Sequence, residues 1–284
     1  MKAFTLAKRG KKVLKSAVSC FLVASLVLIA GCGAAASSGE DKDSSGTPVS
    51  SGEGAPSGDK ILKFGSDIAY APFEFMDEKD NATGFDIELA TAVAEDMGYK
   101  AEFEAAAFDG LLTSLDSGKY DAVISAMTIT EERAQAVLFS EPYFKTLQYI
   151  AYKTNAPYKT LEELKGKRVG VQVSTTGMYA AEDAGITPRS YETTPDALND
   201  LINGGVDAVV ADAPVVLWFI KQNPGNNIEC ASAATADEFY GVAFKKTNTE
   251  LADKFNASLQ KLIDNGKYDE IYKKWFNEDP PKLK

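Results

Sequence analysis

The pattern Leu112-x-x-Leu115-x-x-Gly118-x-x-Asp121-Ala-Val recurs as Leu198-x-x-Leu201-x-x-Gly204-x-x-Asp207-Ala-Val, 86 residues further along the chain. In each copy a leucine pair at helical spacing is followed by a glycine suited to a helix C-terminus, and then by an apolar strand. A helix feeding a buried strand is the repeating unit of a parallel sheet covered by helices. Two copies therefore predict two similar α/β lobes rather than one continuous sheet.

The segments around each copy extend this rhythm. Residues 61–64 read as a strand, and Pro72 keeps the aromatic stretch 70–75 out of a helix. Phe85, Leu89, Ala92, Val93 and Met97 fall at helical spacing ahead of Gly98, and residues 101–105 read as a strand. A helix over 108–117 and a buried strand over 121–125 complete a β–α–β–α–β run. In the second half, Thr160-Leu-Glu-Glu163 reads as a capping box before a short helix, and residues 168–171 as a strand. Thr194-Pro195 reads as an N-cap with an N1 proline, and residues 206–210 as the next strand. Two extended stretches, 147–152 and 239–244, read as crossings between the lobes. The closing helices present Leu251, Phe255, Leu259, Leu262, Ile271, Tyr272 and Trp275 as core-facing residues that return to the first lobe. Lobe one is expected over residues 60–145 plus 241–284, and lobe two over 146–240.

The N-terminal 31 residues have a different character. Lys2, Lys8, Arg9, Lys11, Lys12 and Lys15 precede an apolar run from Ala17 to Ala30, the arrangement of a secretory signal. The run Ile29-Ala-Gly-Cys32 resembles a bacterial lipobox, which implies cleavage before Cys32, a diacylglyceryl thioether on its sulfur, and acylation or a free amine at the new N-terminus. In the following 27 residues, 33–59, 13 are Gly or Ser and Val49 is the sole large aliphatic. Such a segment cannot bury enough apolar surface to offset its ordering entropy, so residues 32–59 read as a flexible tether. The expected location is extracytoplasmic, lipid-anchored to the cell membrane, with the outer face of a Gram-positive membrane favoured.

Charge and composition exclude several function classes. Loss of residues 1–31 removes six cations and no acids, leaving 24 Lys and Arg against 41 Asp and Glu, a formal charge of about −17. That balance argues against nucleic acid and anionic lipid surfaces as partners. Histidine is absent, which excludes Ser–His and Cys–His triads and most zinc sites. With Cys20 in the signal and Cys32 lipidated, Cys230 stands alone, so neither a disulfide framework nor a cysteine metal site is expected. No GxxxxGK[ST] loop is present for nucleotide hydrolysis. No cofactor or metal is expected.

Ligands of open α/β sheets bind beyond the carboxyl ends of the strands. Asp67, Tyr70, Phe108, Ser125, Ala126, Thr128 and Arg133 lie just past such ends in the first half, and Gln172, Thr176 and Asp212 in the second. Thr130 suits an N-cap and Glu131 and Glu132 suit a first helical turn, but a cation at Arg133 opposes the macrodipole there. An Arg beside backbone N–H groups and hydroxyls suits a carboxylate, and Asp212 suits an ammonium. With Tyr70 and Phe108 as walls, the set fits a zwitterionic amino acid.

The segments Asp67-Ile-Ala-Tyr-Ala-Pro-Phe-Glu74, Gly84-Phe-Asp-Ile-Glu-Leu89, Thr128-Ile-Thr-Glu-Glu-Arg133 and Gly204-Gly-Val-Asp-Ala-Val209 resemble family-3 solute-binding proteins. These are the amino-acid-binding components of polar amino-acid ABC importers, and the ending Gly266-Lys-Tyr-Asp-Glu-Ile-Tyr-Lys-Lys-Trp-Phe276 is similar to theirs. The resemblance implies the two-lobed, type II periplasmic-binding-protein fold with the ligand cleft between lobes. It implies that Arg133 clamps the ligand α-carboxylate, aided by Thr128 and by backbone around Thr176. It also implies that Asp212 takes the α-ammonium and that Tyr70 and Phe108 sandwich the ligand side chain. A monomer that hands a free L-amino acid to a membrane permease is expected.

An Asp at the position of Asp67 occurs in relatives that bind glutamine and in those that bind arginine, lysine or histidine. Some glutamine binders carry a Lys where this chain has Gln172, and the run Val171-Gln-Val-Ser-Thr-Thr-Gly177 looks more like the arginine-binding type. A neutral Gln172 leaves Asp67 without a cation from that position, which favours a basic amino acid, with glutamine next. The alternative is an exported cyclohexadienyl dehydratase-like enzyme acting on arogenate or prephenate, with Asp67 or Glu74 as the acid.

Overall fold

In the computed structural model, which describes residues 60–283, the chain enters through β1 (Lys60–Ser66). The expectations for the signal segment 1–31, for Cys32 and for the tether 32–59 fall outside the described residues. Three short strands follow, β2 (Ala69–Tyr70), β3 (Glu74–Met76) and β4 (Ala82–Thr83), paired in that order. Next come α1 (Phe85–Asp96), β5 (Tyr99–Ala105), α2 (Leu111–Ser117) and β6 (Ala122–Val123). The first segment closes with α3 (Glu131–Ala136) and β7 (Val137–Phe139).

β8 (Phe144–Thr146) leads into the second lobe, where β9 (Gln148–Lys153), β10 (Val169–Gln172) and α4 (Thr176–Asp183) follow. That lobe continues through β11 (Arg189–Tyr191), α5 (Thr194–Asn203), β12 (Ala208–Asp212), α6 (Ala213–Gln222) and β13 (Ile228–Ser232). The return runs through β14 (Glu238–Tyr240) into β15 (Ala243–Lys245), α7 (Thr249–Asp264) and α8 (Lys267–Phe276).

Two five-stranded sheets result, ordered β5-β1-β6-β15-β7 and β11-β10-β12-β9-β13. In each, three parallel strands are followed by a strand antiparallel to both its neighbours. That fourth strand, β15 or β9, is the one that has just arrived from the other lobe. The two sheets are thus the same arrangement built twice, with the lobes stitched together by the antiparallel pair β8–β14.

The repeated motif has a mechanical role in both copies. Gly118 and Gly204 end α2 and α5 in the left-handed region, at φ 85 and 80. Asp121 and Asp207 then accept from the backbone N–H of Lys63 and Arg168, at 2.8 and 2.9 Å, beside the strand that each copy joins. The cores follow the pattern. Phe64, Leu89, Val93, Phe255 and Leu259 are buried in one lobe, and Ile150, Val171, Val210 and Leu201 in the other. Each such side chain contributes about 1.5–3 kcal/mol by leaving water.

Several local readings are corrected. Leu112 is only partly buried, because Leu111 takes the core position with Leu115. A single 3-10 turn, Phe108–Gly110, precedes α2, so Phe108 stands ahead of the helix rather than in it. The N-cap of α5 is Thr193, whose hydroxyl accepts from the Asp196 N–H, and Thr194 turns its hydroxyl to Gln172 instead. The capping box at 160–163 is half formed: the Thr160 hydroxyl accepts from Glu163 N at 3.4 Å, but the Glu163 carboxylate accepts from Lys159 N rather than Thr160 N, and only the 3-10 turn Glu162–Leu164 follows. Residues 148–153 are an interior strand of the second sheet, not a connector, because β12 and β13 satisfy both its edges.

Gly84 opens α1 at φ 134, and a Cβ there would lie 2.0 Å from the Phe73 carbonyl oxygen. Gly84→Ala should therefore lower unfolding free energy by about 3 kcal/mol or more in urea titration. Gly98→Ala, at φ 78 with open space around it, should cost about 1–2 kcal/mol.

Candidate ligand-binding site

The loop leaving β6 sets the first half of the site. Thr130 caps α3 through its hydroxyl, which accepts from Arg133 N at 3.1 Å. This places Arg133 on the first turn, and its side chain doubles back so that Nη1 donates to Thr128 O at 2.8 Å. Nη2 donates to Ser174 O, on the loop leaving β10 in the other lobe, at 2.9 Å. The Phe108 ring lies 5.3 Å from the guanidinium carbon. Among the described residues no carboxylate forms an ion pair with Arg133; its proton donors meet neutral carbonyls, and burial lowers its pKa. A desolvated guanidinium without an anion is a receptor for one.

Asp212, at the end of β12, is the complementary group. It is 6 % exposed, and its carboxylate accepts from Gln148 Nε2, from the Tyr240 hydroxyl and from Tyr70. Burial, and then the nearby Glu238, raise its pKa to about 6. Among the described residues no lysine or arginine forms an ion pair with it. Between these groups lies a contracted cavity of about 10 Å³, room for about one water. Its walls are Tyr70, Phe108, Ala126, Thr128, Arg133, Gln172, Thr175, Thr176 and Asp212.

Two expected residues stand behind that lining. The Ser125 hydroxyl faces away from the cavity, donating to Glu74 Oε1 at 2.8 Å and accepting from Asp67 N at 2.9 Å. The Asp67 carboxylate lies beneath Gln172, accepting from its Nε2 at 2.6 Å; Gln172 Oε1 in turn accepts from Thr194. Burial raises Asp67 to about 6, the Gln172 bond opposes this, and Glu192 and Asp109 add repulsion. That end of the cleft is acidic.

Sequence reasoning missed Gln148 and Glu238, which face each other across the hinge pair. Glu238 Oε2 accepts from the hydroxyls of Thr128 at 2.9 Å and Thr176 at 2.7 Å, one from each lobe, while Oε1 accepts from Gln148 Nε2 at 3.0 Å. A carboxylate therefore already rests on the Thr128 and Thr176 hydroxyls, which line the cavity together with Arg133. The available signal was a strongly polar residue at each extended stretch, Gln148 within 147–152 and Glu238 just ahead of 239–244, since such a group needs a buried partner. Tyr240, which the same crossing carries two residues on, was missed as the clamp on Asp212.

Two similar α/β lobes closed over a small cavity define a two-lobed solute-binding protein. The family of bacterial extracellular solute-binding proteins, family 3, matches residues 62–278, and the chain belongs to it. It is 34% identical over 279 residues to the ABC transporter glutamine-binding protein GlnH of Bacillus subtilis, covering 95% of this chain and 99% of GlnH. Among solved structures it is similar to an ancestral arginine-binding protein bound to arginine, with a TM-score of 0.74 and 42% identity over 76% of this chain and 98% of that one. ArtJ of Geobacillus stearothermophilus, an arginine-, lysine-, histidine-binding protein, has the same TM-score of 0.74 and 42% identity, covering 79% of this chain and 98% of ArtJ.

The raised pKa of Asp67 has a consequence for stability. Between about pH 4 and 6 the unfolded chain releases this proton while the folded protein still holds it, so stability falls as pH rises through that window. Asp67→Asn removes this residue's share of the fall. Urea titrations at pH 4 and pH 7 should show the variant gaining roughly 1–3 kcal/mol on the ligand-free wild type at the higher pH only.

Proposed function

We propose that this protein is the extracytoplasmic binding component of an ABC importer, that it captures a basic L-amino acid, and that it does no chemistry on it. The observation that supports this reading is that Arg133 and Asp212 line one cavity and that, among the described residues, neither forms an ion pair. An α-carboxylate and an α-ammonium complete both at once, whereas a substrate lacking either charge leaves one group uncompensated. The acidic end formed by Asp67, with Glu192 and Asp109 behind it, favours a third, cationic group on the ligand. Arginine, lysine and histidine are the candidates, and glutamine, with a neutral amide toward Asp67, comes next.

Capture and closure follow from the same residues. A cavity with room for about one water admits an amino acid only when the lobes part about β8 and β14. We take residues 60–145 with 241–284 as one moving body and 146–240 as the other. On closure the ligand carboxylate replaces the Glu238 carboxylate on Thr128 and Thr176, and takes Arg133 as a bidentate partner. Gln148 and Tyr240 hold Asp212 in position for the ammonium. The loaded monomer then docks on its permease. The lipobox-like run ending at Cys32 supports an acyl anchor to the cell membrane, with residues 32–59 as tether.

A thermal-shift screen of the twenty amino acids and ornithine tests this. A basic amino acid at 100 times its Kd should add about 2.7 kcal/mol of stability. Arg133→Ala should abolish the shift. Asp67→Asn should weaken arginine at least tenfold, about 1.4 kcal/mol, and glutamine much less. A flat screen, or unchanged binding in Arg133→Ala, overturns the reading.

A further inference from the structure

Directly behind the ligand-facing loop lie two acids that capture of the ligand does not use. Glu74 and Asp86 are both 0 % exposed. Glu74 Oε1 accepts from the Ser125 hydroxyl at 2.8 Å. Asp86 Oδ2 accepts from the Ala126 N–H at 2.7 Å and from the Tyr143 hydroxyl at 2.7 Å. The other oxygen of each, Glu74 Oε2 and Asp86 Oδ1, has no hydrogen-bond partner, although the two carboxyl groups are within hydrogen-bonding reach of each other. Two buried acceptors facing one another without a donor repel, and one proton placed between them satisfies both. The titratable groups facing the pair are Asp67, Tyr70, Tyr143 and Tyr268, and among the described residues neither acid forms an ion pair with a lysine or arginine.

We propose that Glu74 and Asp86 hold a single proton between Oε2 and Oδ1, and that this pair is a positioning device for the ligand-facing segment Ser125–Thr128. The segment needs one. Ala126 is held at φ 43, in the left-handed region that disfavours residues with a Cβ. Its amide is fixed by Asp86, and Ser125 before it by Glu74, so the pair grips the turn from behind while Ala126 and Thr128 line the cavity in front. Loss of the proton would set two adjacent negative charges in the core of lobe one and push the grips apart. Burial and the neighbouring acid push Glu74 well above the ordinary carboxylate range, and burial pushes Asp86 up to about 6, consistent with a proton retained at neutral pH.

The positioning role rests on the amino-acid-binding reading; the proton itself does not. Carbon-13 NMR of the Glu74 and Asp86 carboxyl carbons in the ligand-free protein should report one proton on the pair at pH 7. Chemical shifts of two free carboxylates at that pH overturn the shared proton whether or not any amino acid binds. Glu74→Gln, which replaces the proton with an amide N–H, should bind arginine within about threefold of wild type. Ser125→Ala, which cuts the Glu74 grip on the turn and leaves the Asp86 grip on the Ala126 amide, should bind at least fivefold more weakly. Wild-type affinity in Ser125→Ala, or a tenfold loss in Glu74→Gln, overturns the positioning role. Absence of binding of any amino acid by the wild type refutes the proposed function and leaves the NMR result to stand alone.

Discussion

The guanidinium of Arg133 donates to Thr128 O on one lobe and Ser174 O on the other, with no carboxylate ion-paired to it among the described residues. A charge withdrawn from water without a counter-ion is costly, and the surrounding groups are arranged around that cost. Phe108 offers its ring face, Thr130 fixes the turn that carries the arginine, and Asp212 waits across the cavity with the opposite problem. The two groups line one cavity, and among the described residues neither forms an ion pair. A zwitterion of suitable length is the natural complement, and the desolvated surroundings strengthen each contact it makes.

The geometry that permits this is the duplicated sheet. Because each lobe receives its fourth strand from the other, the two crossings run side by side and pair as β8 and β14. The hinge is therefore also the floor of the cleft. Gln148 and Glu238 stand on that floor, bonded to each other, and Glu238 also holds Thr128 and Thr176. Glu238 holds one hydroxyl from each lobe, which gives the closed form an internal carboxylate where a ligand's own carboxylate is expected.

The binding loops are supported in depth by buried polar groups. Ser125 links Asp67 to Glu74, Asp86 holds the Ala126 amide, and Tyr143 and Tyr268 continue the network toward α8. Such networks are costly when partly satisfied and rigidifying when complete. In a binding protein the gain is a loop whose conformation exists before the ligand arrives, so that less affinity is spent on ordering it.

Much of this was legible in the amino-acid sequence. Periodicity, the glycines at 118 and 204 and the repeated Asp-Ala-Val determined two α/β lobes, because those residues act through local geometry. Residues just past the strand ends, including Thr128, Arg133, Thr176 and Asp212, could be chosen because strand ends in such sheets meet at the cleft. Long-range contacts decided the rest. Only the folded chain puts Gln172 over Asp67 and turns Ser125 away from the cavity. It also places Gln148, Glu238 and Tyr240 beneath Asp212, and sets Glu74 against Asp86 from two different elements. Spacing along the chain constrains neighbours three or four residues apart, whereas a partner 40 or 110 residues distant is chosen by packing, which exists only after the lobes have formed.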